Sequence, residues 1–581
     1  MNDRWAVGLA LAVAAGAWAS WSLPRWLGVT VVAVALAARR PALLCLGAAV
    51  VASALGARSW SGLTPPPAGP VRGVATLVGD PSDMGGAVRV EVRLGGRRFE
   101  AWARDRPGAR LAPRLAGQRV EIEGRVGPLR GYRREYLARR HVAARITVTE
   151  VGNWSPGSGV ARLANGLRRV LADGARSLPE DSRALFAGLV LGDDRHQSPE
   201  TVDDFRAAGL SHLLAVSGQN VAFVLALAAP LLGWLGLRGR LVVGLAVLVV
   251  FGVLTRWEPS VLRAEAMAAV TLLAAALGRP ASSLRVLSLA VAGLLLIDPL
   301  LVGSVGFQLS CGACAGIAVL VPRLRRRLPL PVAVTVAAQI GVAPVLVPVF
   351  GGLPVAALPA NLLAVPAAGP VVLWGLAAGL PAGLVGGPVA TAAHVPTRLL
   401  VGWIAGVARW AGGLPLGDLG TGHLLVLVVL GGLVAMVPTR AERLRLAALV
   451  AAAAVCLLPS FAPPPAADGR ELVAGARLWR AGASTVLTVD RPSTGPLLGA
   501  LRRAGVGRIG VLISTGGGSG VPGSLDPVLR RHRPGVTLTA AATEVGTAVE
   551  VGRLRVVVTA TRPALVVEVS RCDQVCGAKD R

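Results

Sequence analysis

The polar groups that could do chemistry in this chain stand at the edges of apolar runs. The segment Gly209-Leu-Ser-His-Leu-Leu-Ala-Val-Ser-Gly-Gln-Asn220 sets His212, Ser217, Gln219 and Asn220 where an apolar helix begins. Arg263, Glu265, Asp298, Gln308, Ser310, Gln339 and Asn361 follow in or beside further apolar stretches. Placing such groups in lipid is costly, so they tend to mark pathways through a protein. Taken singly, each also fits helix capping or hydrogen bonding between helices. A Ser–His nucleophile pair is poorly served: His212 and Ser217 lie five residues apart, about 140° around a helix.

A second set is basic and partly aromatic. Arg97, Arg98, Trp102, Arg104 and Arg106 stand close together, and Tyr132, Arg133, Arg134, Tyr136, Arg139 and Arg140 follow. Guanidiniums interleaved with aromatic rings suit a groove that tracks a single strand and stacks its bases. The plainer reading makes Trp102 a core residue and the arginines a solvated face near anionic lipid.

Composition fixes the class that must position these groups. Of 581 residues, 53% are hydrophobic and 16% charged, with a mean hydropathy of +0.60. Soluble domains carry about 25% charged residues. A soluble globular enzyme, a disordered chain and a disulfide-rich secreted module are thereby excluded, leaving a polytopic α-helical membrane protein with soluble parts. The net charge is +28, and Lys579 is the one lysine. Residues 70–150 hold 17 Arg against 9 acidic residues, and 468–581 hold 16 Lys and Arg against 9. Basic modules of this kind point to a polyanionic partner, nucleic acid or anionic lipid headgroups. Cys311 and Cys314 form a C-x-x-C inside an apolar run and read as small membrane-helix residues. Cys572 and Cys576 are a candidate pair.

A bilayer core takes about 20 apolar residues per helix. Residues 1–63 hold two or three short helices punctuated by Arg25 and Arg39–Arg40, with no clear signal-peptide cleavage site. After the Pro-rich break 64–70, Val88, Val90, Val92 and Leu94 alternate with Arg89, Glu91 and Arg93, and Gly95–Gly96 makes a turn. Such period-two stretches over 70–152 predict about five short antiparallel strands, an OB-like β-barrel module. Residues 160–211 read as amphipathic helices lying on the membrane or packed on the protein; Ser198-Pro199-Glu200 starts one of them. Residues 212–460 read as a multi-helix domain in which 328–397 contain no Asp, Glu, Lys or Arg, though Pro344, Pro348, Pro354, Pro359 and Pro366 interrupt its runs. From 468 to 581 the pattern is α/β, with strands at Ser484–Val489 and Ile509–Ile513.

Clusters at Arg238/Arg240, Arg279/Arg285 and Arg323/Arg325/Arg326/Arg327 fall at alternate loops, and the positive-inside rule puts them in the cytoplasm. The β module then lies outside, and Arg440, Arg443 and Arg445 carry the C-terminal domain outside as well. Arg256, beside Trp257 and Glu258, is the exception to the alternation.

The central segment resembles the ComEC family, the DNA-internalisation proteins of bacterial competence. Gly209-Leu-Ser-His-Leu-Leu-Ala-Val-Ser-Gly218 and Val305-Gly-Phe-Gln-Leu-Ser310 carry the resemblance, with Asp298-Pro299, Arg263, and Asn361 followed by Pro366. Tyr136-Leu-Ala-Arg-Arg140 is similar to the end of the family's N-terminal module, and the order of parts matches along nearly the whole chain. The resemblance implies a multi-pass protein of the cytoplasmic membrane that moves one DNA strand inward through the 212–460 channel domain. It implies a DNA receptor outside and an ATPase or helicase inside as partners. The oligomeric state is left open.

Two departures stand out. The family motif continues from Ser-Gly to a Leu-His pair, where Gln219 and Asn220 stand here. In many members the C-terminal domain resembles a metallo-β-lactamase with a His-x-His-x-Asp-His ligand run after a strand. Here Thr515-Gly-Gly-Gly-Ser-Gly520 follows the strand, and His532 is the one histidine of 468–581. The domain therefore reads as a truncated, degenerate relative with no metal, no cofactor and no hydrolytic site. The Gly-rich turn lacks the Gly-Lys-Ser/Thr of a nucleotide-binding loop and reads as a plain turn. Two other readings compete: a membrane-embedded hydrolase or nuclease using His212, Ser217 or Glu265, and a transporter of another anionic envelope solute.

Overall fold

The computed structural model describes residues 2–129, 133–279, 282–436, 442–461, 467–516, 521–562 and 564–572. The chain divides into two compact units. The first comprises 1–196, 211–353 and 358–407; the second comprises 197–210, 354–357 and 408–581.

The first unit begins with three helices, α1 (Asp3–Ala19), α2 (Arg25–Ala37) and α3 (Pro41–Ser61). They touch through small residues. A side chain at Gly16 would collide with the Ala49 carbonyl, and Gly28 and Gly47 face each other where α2 meets α3. Helices in lipid gain from such close backbone approach because dispersion, not water exclusion, drives their contact.

The alternating segment then forms β1 (Gly69–Leu77), β2 (Ser82–Asp83), β3 (Ala87–Leu94), β4 (Arg97–Arg104), the short helix α4 (Asp105–Leu111), β5 (Arg119–Gly127), helix α5 (Arg133–Ala138) and β6 (Val142–Ser155). The sheet runs β1-β5-β6-β4-β3-β2, and β1 also pairs with β3 at Thr76–Arg93 and Leu77–Val92, which closes it on itself. β4 and β6 are parallel; the other pairs are antiparallel. Gly95 and Gly96 both adopt positive φ in the two-residue β3–β4 hairpin, as a twist-matched turn requires. The predicted alternation holds: Val90, Val92, Phe99, Ile122 and Ile146 fill the interior while Arg89, Glu91 and Arg93 face outward.

Helices α6 (Gly159–Gly174) and α7 (Glu180–Leu191) follow, and Leu185, Phe186, Leu189 and Val190 of α7 are fully buried. Helix α8 (Pro199–Ala207) belongs to the second unit. The first resumes with α9 (Gly218–Gly233), α10 (Leu237–Leu254), α11 (Pro259–Ala276), α12 (Ser283–Ile297), α13 (Val305–Leu324), α14 (Leu330–Phe350), α15 (Ala357–Ala377), α16 (Gly379–Val385), α17 (Gly387–Ala393) and α18 (Val395–Gly412), whose residues from Ala408 on belong to the second. Among the described residues, five segments are long and apolar enough to cross a membrane: Pro41–Ser61, Leu237–Leu254, Val305–Leu324, Leu330–Phe350 and Ala357–Val385. Four apolar helices are shorter: Arg25–Ala37, Gly218–Gly233, Ser283–Ile297 and Thr421–Gly432. The expected proline breaks are corrected here. Pro344 and Pro348 lie inside α14, and Pro359 and Pro366 inside α15; Pro354 alone falls in a break, between α14 and α15, and the chain also breaks at Ala378, Gly386 and His394. Apolar helices tolerate proline where neighbouring helices and local adjustment satisfy the freed carbonyls.

In the second unit, α8, α19 (Thr421–Met436) and α20 (Glu442–Phe461) join the C-terminal domain. Its main sheet orders Val536–Thr539, Val511–Ser514, Ser484–Val489, Ala476–Ala481 and Ala467–Val473, the first three parallel. Helices α21 (Thr494–Arg503) and α22 (Asp526–His532) cover one face through Leu497, Leu498, Leu501 and Val528. The antiparallel sheet Ala548–Val551, Leu554–Ala560 and Val566–Arg571 covers the other through Leu554, Val556 and Val558. The N-cap at Ser198 forms as its sequence predicts, accepting from the Thr201 amide. The acidic face of α8 is buried rather than solvated. Asp203, 1% exposed, takes Arg502 at 2.6 Å, and Asp204 takes Arg531 at 2.6 Å. Burial pushes the Asp203 carboxyl up, and these two guanidiniums oppose the shift.

Candidate functional site

Strand register sets Glu91 opposite Glu100 on the outer face of β3–β4. Like charges placed so destabilise a sheet unless cations cover them. Three predicted strand-binding residues take part in that cover or its surroundings. Arg133 pairs with Glu100 at 2.6 Å, Arg140 with Glu91 at 2.7 Å, and Arg133 also lies 5.9 Å from the centre of the half-buried Trp102 ring. Arg145, which sequence reasoning passed over, is the second partner of Glu100 and lies 5.3 Å from the same ring. Nothing in the linear sequence reveals Glu100, 1% exposed on an outward strand position, because its cover comes from α5 and β6.

The rest of the basic set divides. Arg139 pairs with Glu135 at 2.5 Å, donates to the Gly303 carbonyl and lies over the Trp18 ring. Arg97 donates to Thr64 O at 3.3 Å, Arg98 to Arg140 O at 3.4 Å, and Arg140 reaches the Tyr136 hydroxyl at 3.5 Å. Arg104, Arg106 and Arg134 are exposed and enter no ion pair among the described residues. Tyr132 lies outside the described residues, as do Cys576 and the 517–520 part of the Gly-rich turn. Just past Arg140, His141 reaches Asp298 at 3.0 Å, so the β module meets the end of α12 at a predicted polar residue.

A buried charge cluster explains the Arg256 exception. Arg256 donates to Asp80 at 2.9 Å and to Asn165 at 2.9 Å. Arg168, 4% exposed, pairs with Asp80 at 3.1 Å and Asp193 at 3.4 Å and donates to the Leu191 and Leu254 carbonyls. Arg195 closes the set on Asp193 at 2.6 Å. Arg256 and Trp257 both hold positive φ, an uncommon backbone state for side chains of their size. Burial draws the Arg256 guanidinium down to about 10, with Asp80 opposing, so it stays charged at neutral pH. A charge neutralised by a carboxylate and buried in protein is not a loop charge for the positive-inside rule.

Asp193 gives a pH test. Burial raises its carboxyl, but the Arg195 hydrogen bond and the charges of Arg195 and Arg168 outweigh burial and hold it at about 2, below the usual 3.8. A lowered folded-state pKa adds stability that is full above about pH 4 and lost as pH falls toward 2, worth about 2 kcal/mol. In thermal unfolding of the detergent-solubilised protein, Asp193→Asn should flatten the decline between about pH 4 and pH 2.

Among the apolar helices the predicted polar residues take distinct places. His212 is exposed in the short turn Ser211–Leu213, and Gln219 is exposed one residue into α9. Ser217 donates to Asn220 Oδ1 at 3.2 Å, and the buried Asn220 donates to Leu189 O at 2.7 Å, tying α9 to α7. Gln308 donates to Val302 O at 2.8 Å, while Ser310 and Asn361 are half-buried on α13 and α15. Arg263 and Glu265 differ from these. They are 4% and 6% exposed, and Arg263 Nε and Nη1 and both Glu265 carboxylate oxygens have no hydrogen-bond partner. Two positions apart on α11, they point to different sides and do not pair. The Arg263 guanidinium lies against Gly218, where a side chain would stand 2.8 Å from Nη2. Gln339 Nε2 on α14 is likewise buried and unpartnered. Among the described residues, no group of three His, Cys, Asp or Glu could hold a metal ion.

The long apolar helices and the sheets beside them define a helical membrane protein with extramembrane β modules. Residues 189–444 match the family model described as Competence protein. The chain is homologous to ComE operon protein 3 of Bacillus subtilis (strain 168), with 29% identity over 252 residues, 42% of this chain and 32% of that protein. It is also similar to the uncharacterized protein YcaI of Escherichia coli (strain K12), at 30% identity over 212 residues, 32% of this chain and 28% of that protein. The match thus spans about a third or less of each curated relative. No solved structure matches the chain.

Proposed function

We propose that this is a multi-pass protein of the cytoplasmic membrane that carries single-stranded DNA inward during natural transformation. The observation that carries the reading is Arg263: a buried, unpartnered guanidinium on an apolar helix of the competence domain. An uncompensated charge there is costly unless an anion visits it, and a phosphate chain is such an anion. Gln308, Ser310, Gln339 and Asn361 wall the path without holding phosphates tightly enough to stop release.

The barrel receives or hands over the strand. Its closed order β1-β3-β4-β6-β5, with a helix between β4 and β5 and β4 parallel to β6, supports an OB-type assignment. Arg104, Arg106 and Arg134 are the cations left to meet phosphates there. The C-terminal domain, two sheets with helices on one face, fits a truncated metallo-β-lactamase relative, and we assign it no hydrolytic role. Its extracytoplasmic side is supported by the pairing of Arg502 and Arg531 with Asp203 and Asp204 of α8, because no candidate span lies between β6 and α8 among the described residues. The proposed partners are a DNA receptor outside, an ATPase or helicase inside, and membrane lipid.

The test is deletion of the gene in its host, with internalised labelled donor DNA as the readout. Uptake should fall to background and return with the wild-type gene. Uptake unchanged by the deletion ends the transport reading and favours the envelope-solute transporter.

A further inference from the structure

The C-terminal domain holds a basic pocket that nothing above uses. It has a volume of about 320 Å³ and is lined by Gly507, Arg508, Arg531, His532 and Arg533. Gly507 and Arg508 precede the strand Val511–Ser514, and Arg531–Arg533 precede its parallel neighbour Val536–Thr539. Hydrogen bonds from Ile509 N to His532 O at 3.1 Å and from Gly535 N to Ile509 O at 3.0 Å hold the two turns side by side. The pocket thus lies at the edge where these strands begin. Thr515 and Gly516 follow the opposite end of Val511–Ser514.

Three features point to an anion. Arg508 and Arg533 are exposed and enter no ion pair among the described residues, while Arg531 is engaged by Asp203 and Asp204. His532 is 4% exposed and neither ring nitrogen makes a hydrogen bond; burial pushes its imidazole down, with the Gly507 and Val506 backbone opposing that shift. Arg533 caps α22 in the left-handed region, at φ 37°, where glycine or asparagine is the ordinary choice. Backbone strain held at a charged residue in a concave site is a mark of function. A polar ring enclosed without a partner beside two unengaged guanidiniums matches a phosphate, which takes forked hydrogen bonds from arginine and a third from imidazole.

We propose that this pocket binds one backbone phosphate of a single-stranded nucleic acid. The proposal rests on the DNA reading above and gives the C-terminal domain a strand-holding role of its own. No aromatic side chain lines the pocket, so it reads backbone and not base. No apolar side chain lines it either, which disfavours a lipid headgroup followed by its acyl chains.

The test uses the full chain purified in detergent and a fluorescent thymidine 20-mer, with anisotropy followed across a salt series. The variant is Arg508→Ala with Arg533→Asn, both exposed positions, the asparagine preserving the left-handed cap. Losing the hold on that one phosphate should lower the slope of log affinity against log salt by about 0.7 and weaken binding about tenfold at low salt. Inorganic phosphate should compete with the wild type more effectively than with the variant. An unchanged slope overturns the pocket while leaving the transport reading intact; a wild-type chain that ignores the oligonucleotide overturns both. The same pair compared in phosphatidylglycerol and phosphatidylcholine nanodiscs identifies a headgroup site. A variant defect confined to phosphatidylglycerol assigns the pocket to lipid and defeats the proposal.

Discussion

Asp80→Ala should destabilise the protein by about 3–5 kcal/mol, the cost of leaving buried charge without its partner. Asp80 takes Arg256 on one oxygen and Arg168 on the other, and also accepts from the Ala116 amide at 2.7 Å. Without it, two guanidiniums, 4% and 14% exposed, face each other with no carboxylate between them. Asp80→Asn keeps hydrogen-bonding capacity and loses the charge, so it should fall between alanine and wild type. A second change, Arg256→Met, removes one stranded cation and should recover part of the alanine loss. Chemical unfolding of wild type, Asp80→Ala, Arg256→Met and the double variant in one detergent measures the coupling. Simple additivity would mean that Asp80 and Arg256 do not share one cluster.

Arg263→Met should separate function from stability. An apolar side chain of similar length fills the space beside Gly218 and removes a buried charge that no hydrogen bond at Nε or Nη1 offsets. Folding stability should therefore hold or rise, as when buried ions are replaced by apolar groups of similar volume. DNA internalisation in the complemented deletion host should fall at least tenfold, since the loss of even about 1.4 kcal/mol at an obligatory site is tenfold. A protein that unfolds on this change would make Arg263 structural. One that transports normally would remove it from the path.

The two arginines show where sequence reading stopped. Arg263 was legible, because an ionisable group inside an apolar run stands out by composition. Arg256 stood out as well, but as an anomaly in the topology pattern, and its explanation lies in Asp80, 176 residues away. The strands of the β module were legible from their alternation and the Gly95–Gly96 turn. The same alternation assigned Glu100 to the outside, as it does any outward strand residue, and could not report that Arg133 and Arg145 bury it. Helix α8 was legible down to its Ser198 cap. Its acidic face was open to two readings until Arg502 and Arg531, some 300 positions on, met Asp203 and Asp204.

Membrane class, the alternating strands and the segment that matches the competence family follow from the sequence by itself. These depend on local periodicity and on the long apolar runs, and each stretch of chain carries its own share of that information. The closure of the sheet through β1 and β3, the continuity of α14 and α15 through their prolines, the pairing of acids with arginines and the isolation of Arg263 came only from tertiary structure. Whether a charge is paired, and whether a freed carbonyl finds a donor, depends on groups brought close by folding from anywhere along the chain. A linear pattern holds no record of those distances.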